Sequence, residues 1–186
     1  MKRLNTGIAM ALGGLVMMMP FQDPAATPGK PTVVVGTFDS RAIATAYVRS
    51  DEFSSYLAAQ RKDVTKVIER AKETGDRQLA AALDALGPAM QKRIHQQGFG
   101  TAAVDDIIAR IGDRLPRIAE KAGVDVIVSK WALSFHRPAA EFVDVTDLLV
   151  AEFHADEQTL KTIRELVATD PIPLDQLDGH GSRHNH

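Results

Sequence analysis

Residues 124–150, VDVIVSKWALSFHRPAAEFVDVTDLLV, decide the fold, because three strand-like runs precede a helix start within them. β-Branched residues recur at alternate positions over 124–129, which is the two-residue period of a strand. Further strand-like runs cover 132–136 and 141–145, and Thr146 then begins an apolar stretch that favours a helix. A small β-meander followed by a helix is therefore predicted.

A fourth strand is predicted far upstream, at residues 32–38 (TVVVGTF). Its run of valines predicts burial on both faces at Val33–Val35, and Gly36 indicates a bulge or the close approach of another chain segment. The unit at 124–150 is expected to pair with Val33–Val35 of this strand, so the residues between them form one insertion. The predicted fold class is α+β, mostly helical, with a small β-sheet built from distant strands.

The insertion is predicted to begin with two helices. Asp39-Ser40 offers an N-cap for a short helix at 41–48, and Ser50-Asp51 offers one for a long helix that Gly75 ends. The long helix carries one seam of heptad-like spacing. Its members are Phe53, Leu57, Gln60, Val64, Val67 and Ala71.

A second long helix is predicted at 77–97 from the periodicity of its apolar residues. Gly87 and Pro88 lie inside it and are expected to kink or break it. Each long helix has a single apolar stripe, so each needs a partner to cover that stripe. Helical arms are therefore expected over 51–122, either as one hairpin or as a folded-back bundle.

A third helix is predicted at 102–122, with Thr101 as its N-cap. Pro116 lies inside its apolar pattern and predicts a bend near Gly112. The remaining segments are predicted to be helices at 146–153 and 156–168, followed by a flexible tail at 171–186 that contains histidines.

The composition bounds the function more than it defines it. The chain has 186 residues, 25% charged, with a formal net charge of −2, so no global charge favours a nucleic acid partner. There are no cysteines, which excludes disulfides, thiol catalysis and thiolate metal sites. One domain is expected at this length, over residues 32–170.

The first residues predict export. Two basic residues precede an uncharged run at 7–19, and Pro20 ends that run, which is typical of a secretory signal. The run is shorter than the roughly 20 residues that a membrane span needs. A signal peptide is therefore predicted at 1–26 and a Pro- and Gly-containing spacer at 27–31, with an uncleaved anchor as the alternative. The expected location is the periplasm, with membrane contact at most peripheral.

Five polar residues near the strands are candidates for a catalytic or metal site. His136 and His154 flank Glu141, Asp144 and Asp147, which are residue types that suit acid–base chemistry or a two-histidine, one-carboxylate site. Their spacing matches no helical metal motif, and an acidic residue in a helix first turn favours the helix dipole. The structural interpretation is preferred.

The three histidines of the tail are a second possible metal site. His180, His184 and His186 can capture Zn, Ni or Cu weakly, but nothing in the sequence preorganises them, so a solvated tail is preferred. The sequence has no phosphate-binding loop, dinucleotide fingerprint or nucleophile motif. We therefore expect no enzyme activity, no cofactor and no bound metal.

Two stretches carry a resemblance to a known family: residues 33–47 (VVVGTFDSRAIATAY) and residues 122–150. Together with the order strand, short helix, long helical excursion, returning strands and terminal helix, they resemble the Skp/OmpH family of periplasmic chaperones, of which this chain looks like a divergent member. The matching residues are Asp125, Val126, Val128, Ala132, Phe135, Asp144, Val145 and Thr146.

The resemblance implies a homotrimer with a common β core and helical arms that enclose unfolded outer-membrane proteins. A small β-sheet has marginal stability on its own, and this agrees with an oligomer in which several chains complete the sheet. The assembly core expected on this basis comprises Val33, Val35, Val126, Val128, Phe135 and Val145.

The leading hypothesis is a non-enzymatic periplasmic holdase for unfolded outer-membrane or envelope proteins. The alternative is a structural protein of the cell envelope that docks one specific partner through its helices. Phe99, between two glycines, either touches a client or a membrane, or folds back as a packing plug. The expected client or partner contacts are Leu83, Met90, Ile94, Phe99, Val104 and Ile108.

Overall fold

The computed structural model describes residues 33–179. The predicted signal peptide and spacer, and the three histidines of the tail, lie outside this range, so those interpretations stay predictions. The described chain is mostly helical with one small sheet, which confirms the predicted fold class. No helix between residues 33 and 179 is long and apolar enough to cross a membrane.

Three short strands form the sheet. They are β1 (Val34–Phe38), β2 (Val126–Ser129) and β3 (Glu141–Asp144), in the order β2-β1-β3. β1 pairs in parallel with both neighbours, so the predicted pairing of the upstream strand with the unit at 124–150 is confirmed. The predicted meander is wrong, because successive strands of a meander are antiparallel neighbours.

The strand predicted at 132–136 does not form. Residues Lys130–Ala132 make a 3-10 turn, and the chain is then irregular until β3. Because β2 and β3 run in the same direction, the segment between them must return from one edge of the sheet to the other. The apolar residues at 132–136 therefore lie in the connection between β2 and β3, and Phe135 is 81% exposed.

Only one face of the sheet is packed against helices. Gly36 and Phe38 of β1 are buried there, whereas Val35 on the opposite face is half-buried and Val33, just before the strand, is 53% exposed. The prediction that Val33–Val35 is buried on both faces is therefore wrong. We call the less covered face the open face; it carries Val35, Thr37, Val126, Val128, Phe142 and Asp144 by register.

Neighbouring chain segments approach Gly36 closely at the centre of β1, as its sequence position predicted, and only glycine fits there. A Cβ there would lie 3.1 Å from Val124 Cγ2 and 3.2 Å from both Val126 O and Val145 Cγ1. The two strands and the residue after β3 thus crowd this point, and a side chain would push them apart.

The first helix lies in the core. α1 (Ser40–Val48) follows β1 directly, and its N-cap Asp39 accepts a hydrogen bond from the backbone N–H of Arg41, as the capping prediction requires. It packs against α6 (Thr146–Ala151) and α7 (Glu157–Val167). The fully buried apolar residues here include Ala42, Ile43, Ala46, Val145 and Leu149.

Two long helices form a hairpin. α2 (Asp51–Thr74) is capped by Ser50 and α3 (Arg77–Phe99) by Asp76, and the turn between them uses Gly75 at φ 67°. α3 continues through Pro88, so the predicted break does not occur. Residues 84–89 are all exposed, so water can bind the carbonyl that the proline leaves free.

The helix predicted at 102–122 is divided. It becomes α4 (Asp105–Ile108), a 3-10 stretch (Ala109–Arg114) and α5 (Leu115–Ala122). Helical geometry fails at Ile111 (φ −112°, ψ 16°), which confirms the bend predicted near Gly112.

Thr101 is not a cap, because the chain stays irregular until Asp105. Ile107, Ile111 and Ile118 are buried in the core, so residues 105–122 belong to the body of the molecule. The arm therefore comprises residues 51–99 and not the predicted 51–122.

The C-terminal segment packs against the base of the hairpin. A further helix, α8 (Leu174–Gly179), occupies part of the predicted flexible tail, which is therefore wrong for these residues. The backbone N–H of Ile172 donates to Phe99 O at 2.9 Å. Leu174 lies so close to Gly100 that a Cβ there would clash with it, which explains the glycine at this junction.

Candidate functional site

The hairpin α2–α3 is the candidate binding element. Its helices have 24 and 23 residues, which correspond to a length of about 35 Å each. Near the base it is packed on α1, while farther out the half-buried positions are those where α2 and α3 face one another. The outer part of the hairpin therefore leaves most of its surface to solvent.

The seam of α2 follows the 3.6-residue period of a straight helix. Its covered positions are Phe53, Leu57, Gln60, Val64, Ile68 and Ala71. The prediction placed Val67 in this seam, but Val67 is 38% exposed and Ile68 takes its place. A strict heptad pattern drifts from a straight helix by about 20° per heptad, and this drift favours Ile68 over Val67 in the second half of the seam.

Four of the six expected client contacts lie on α3, and three of them lie before its last residue. Leu83 and Met90 are half-buried towards α2, and Ile94 packs against the core of the body. None of the three projects freely. Their main role is in the packing of the hairpin and its base, and a client could contact them only along their exposed sides.

Phe99, the fourth expected contact, lies at the C-terminal end of α3. Its ring is 46% exposed and meets His95 edge-on at 5.8 Å. It lines a small apolar groove of about 180 Å³ together with Ile94, Val48 and Leu166. Phe99 thus combines the two alternatives from the sequence, since one side packs and the other is available.

The last two expected contacts lie apart from the hairpin. Val104 is 2% exposed and belongs to the core, and Ile108 is half-buried against it. The six residues are therefore not brought together in one surface.

The outward surface of the hairpin was not singled out from the sequence. Leu86 is 44% exposed, Val67 is exposed to a similar extent, and the alanines at 81, 82, 85 and 89 are exposed on the same helix as Leu86. Apolar periodicity assigns Val67 to the seam of α2 and Leu86 to the stripe of α3, so the pattern predicts both residues as inward and carries no separate signal for this surface.

Charges on the hairpin are balanced. Residues 51–99 contain eight Lys or Arg and seven Asp or Glu. The pair Lys66–Asp63 is 3.8 Å apart and both side chains are mostly exposed, so it contributes little to stability. Electrostatic attraction is thus not the basis on which this surface would select a ligand.

Aromatic packing fixes the base of the hairpin. The Tyr47 ring meets Phe53 and Phe153 edge-on at centroid distances of 5.2 and 5.7 Å. The Arg110 guanidinium lies 4.9 Å from the centroids of both Tyr47 and Tyr56. Such contacts each add about 0.5–1.5 kcal/mol beyond area burial, so the hairpin is held in a defined direction.

A charged cluster at the carboxyl edge of the sheet was missed from the sequence. Asp39 Oδ2 accepts from Arg41 at 2.8 Å and from Lys130 at 2.8 Å, and Arg41 also donates to Thr169 O. Lys130 and Arg41 lie over the Trp131 ring at 4.5 and 5.4 Å. Because Asp39 and Arg41 are almost fully buried, the cluster ties β1 to the chain after β2 and to the end of α7.

The pKa of Asp39 reflects these contacts. Burial acts to raise the pKa of this carboxyl, but the hydrogen bonds from Arg41 and Lys130 outweigh burial and hold the pKa below its ordinary value. The carboxylate is thus ionised and fully engaged, which suits a structural tie rather than an acid–base catalyst.

The expected assembly residues fall into two groups. Val35, Val126 and Val128 lie on the open face of the sheet, and Val126 is 47% exposed. Val33 and Phe135 are also exposed, whereas Val145 is fully buried within the single chain. Five of the six expected residues therefore retain surface that a second molecule can contact.

The polar residues near the strands do not form a site. His136 stacks edge-on against Phe142 at 4.9 Å, and Asp144 accepts from the backbone N–H of Thr146 at 2.8 Å. Asp147 lies in the first turn of α6, and His154 follows that helix at φ 53°. Between residues 33 and 179 no three histidine or acidic side chains are placed to hold a metal ion.

Comparison with known protein families, with characterised proteins and with solved structures finds no match to this chain.

Proposed function

We propose that this protein is a non-enzymatic, exported holdase that binds unfolded outer-membrane or other envelope proteins through its helical hairpin. The observation that carries the proposal is the hairpin itself. It extends about 35 Å, is anchored firmly at its base, and leaves apolar residues on its outer surface.

A holdase needs apolar contacts without a demanding geometry, since its clients differ in sequence. Leu86 and the exposed alanines of α3, and Val67 on α2, provide such apolar contacts along the hairpin. Balanced charge keeps the hairpin from selecting clients by their sign. Assembly into a homotrimer through the open face would place three hairpins around one client.

One observation favours the alternative, a structural protein that docks a specific envelope partner. Between Ala58 and Met90 only Val67 and Leu86 are large apolar residues with high exposure. Two apolar anchors, one on each helix of the hairpin, also suit the docking of a single helical partner. A stoichiometric complex with one native envelope protein would support this second function.

The test is suppression of aggregation. A urea-denatured outer-membrane β-barrel protein is diluted into buffer with increasing amounts of the mature chain, and light scattering is recorded. The wild type is expected to abolish scattering near stoichiometric ratios, and Leu86→Glu is expected to need several-fold more protein. Gln78→Glu, an exposed polar position on the same helix, is the matched control and should behave as wild type. No suppression by the wild type at any ratio contradicts the proposal.

A further inference from the structure

The outer edge of β2 differs from the other edge of the sheet. β2 consists of Val126, Ile127, Val128 and Ser129, without a charge or a proline. β3, at the opposite edge, begins with Glu141 and ends in an aspartate. Charged residues and prolines are the usual means by which edge strands avoid pairing with other chains. The β3 edge carries such protection and the β2 edge does not.

Backbone groups of β2 face away from the sheet. Thr37 O accepts a hydrogen bond from the residue after β3, so the backbone of Thr37 faces β3 and that of Gly36 faces β2. Gly36 is in register with Ile127, and a parallel ladder joins a residue to the two neighbours of its partner. The contact of Val126 O with Gly36 agrees with this. The N–H and C=O groups of Ile127 and Ser129 therefore point to the open edge.

A cleft of about 310 Å³ runs beside this edge. Ile127, Ser129 and Trp131 line one side, and Ala103, Asp105 and Ile108 line the other. This volume is at the small end of the range for ligand clefts, roughly 300–1,000 Å³. It admits a single extended chain, whereas a second folded sheet is kept away by the wall that α4 and the preceding loop provide.

We propose that this cleft binds an extended peptide segment of another polypeptide by adding it as a fourth strand beside β2. Main-chain hydrogen bonds to Ile127 and Ser129 give the affinity, and the apolar walls take alternate side chains. Asp105 is the one charged side chain on the lining of this cleft, so the segment is uncharged and β-branched with one basic residue at its end. This role goes beyond the holdase function, because it involves no part of the hairpin.

The test uses a capped seven-residue peptide, one lysine followed by alternating threonine and valine, added to the full chain. Amide hydrogen exchange read by NMR is expected to slow at least tenfold at Ile127 and Ser129, with Val128 unchanged. N-methylation of the peptide amides that face β2 should weaken binding at least tenfold, whereas methylation of the other amides should not. Equal binding of both methylated peptides overturns the proposal.

Two protein variants separate the backbone from the side chain. Ile127→Pro removes the outward N–H, while Ile127→Ala removes similar side-chain bulk and keeps that N–H. Only the proline variant is expected to lose the peptide, and if it fails to fold, the methylated peptides decide. Asp105→Asn should weaken the lysine peptide two- to fivefold. Slowed exchange at Ile127 that depends on protein concentration without peptide means that a second copy occupies the edge, and it overturns the proposal.

Discussion

At the scale of single residues, Asp39 carries the largest local consequence. Replacing it with asparagine leaves the Arg41 guanidinium buried without its counter-charge, so Asp39→Asn is expected to lower the free energy of unfolding by about 3–5 kcal/mol in chemical denaturation. Lys130→Met, which removes the more exposed partner, should cost clearly less. Equal losses for the two variants would contradict the central place of Asp39.

The same carboxyl predicts how stability depends on pH. Its folded-state pKa lies below the unfolded value of about 4, so its contribution is complete above pH 4 and is lost as the pH falls through the folded-state pKa. Unfolding midpoints measured between pH 2 and 6 should fall less steeply with acid in Asp39→Asn than in the wild type.

For Tyr47 we expect that removing a polar group does not lower stability, in contrast to Asp39. Its hydroxyl is buried and has no hydrogen-bond partner, and burial raises the pKa of this phenol. Tyr47→Phe keeps the ring contacts with Phe53 and Phe153 and removes only the unpaired group. The variant is expected to be as stable as the wild type or up to about 1 kcal/mol more stable by thermal unfolding. A loss above about 1 kcal/mol would mean that the hydroxyl is satisfied.

Features that depend on one short segment, such as helix caps and helix ends, could be predicted from the sequence. The caps at Asp39 and Ser50 and the stop at Gly75 follow from neighbouring residues alone. The tie from Asp39 to Lys130 joins residues that are 91 positions apart, and no local pattern encodes it. The unpaired hydroxyl of Tyr47 likewise depends on which elements surround it.

At the scale of elements, two glycines of the hairpin have opposite roles. Gly98 lies within α3 where a Cβ meets no atom within 4 Å, so Gly98→Ala should stabilise the helix by about 0.5–1 kcal/mol. Gly75 also has space around it, but its φ is 67°, so Gly75→Ala should destabilise by about 1 kcal/mol. Unfolding in urea monitored by circular dichroism measures both, and equal signs would contradict the assigned turn.

Periodicity predicted the helices well and the sheet incompletely. The stripes of α2 and α3 are strong because each spans six or more turns, but Val67 and Leu86, which the stripes predict as inward, are exposed. The run at 132–136 resembles a strand in composition, yet the parallel direction of β2 and β3 makes it a connection. Strand direction is set by long-range pairing, so a local pattern cannot supply it.

At the scale of the whole molecule, the open face of the sheet predicts self-association. We expect light scattering of the mature chain to give a mass three times that of one chain. Val126→Arg places a charge on the open face and is expected to give monomers, whereas Gln78→Arg on the hairpin should leave the trimer intact. A monomeric wild type would contradict assembly through this face.

The central claim is that clients are held by the hairpin at 51–99. Amide hydrogen exchange of the mature protein, with and without a denatured outer-membrane β-barrel protein, tests this claim most directly. Exchange is expected to slow along the outer halves of α2 and α3, around Val67 and Leu86, while α6 and α7 stay unchanged. A complex in which the hairpin exchanges as in the free protein, with protection confined to the body, would contradict the account.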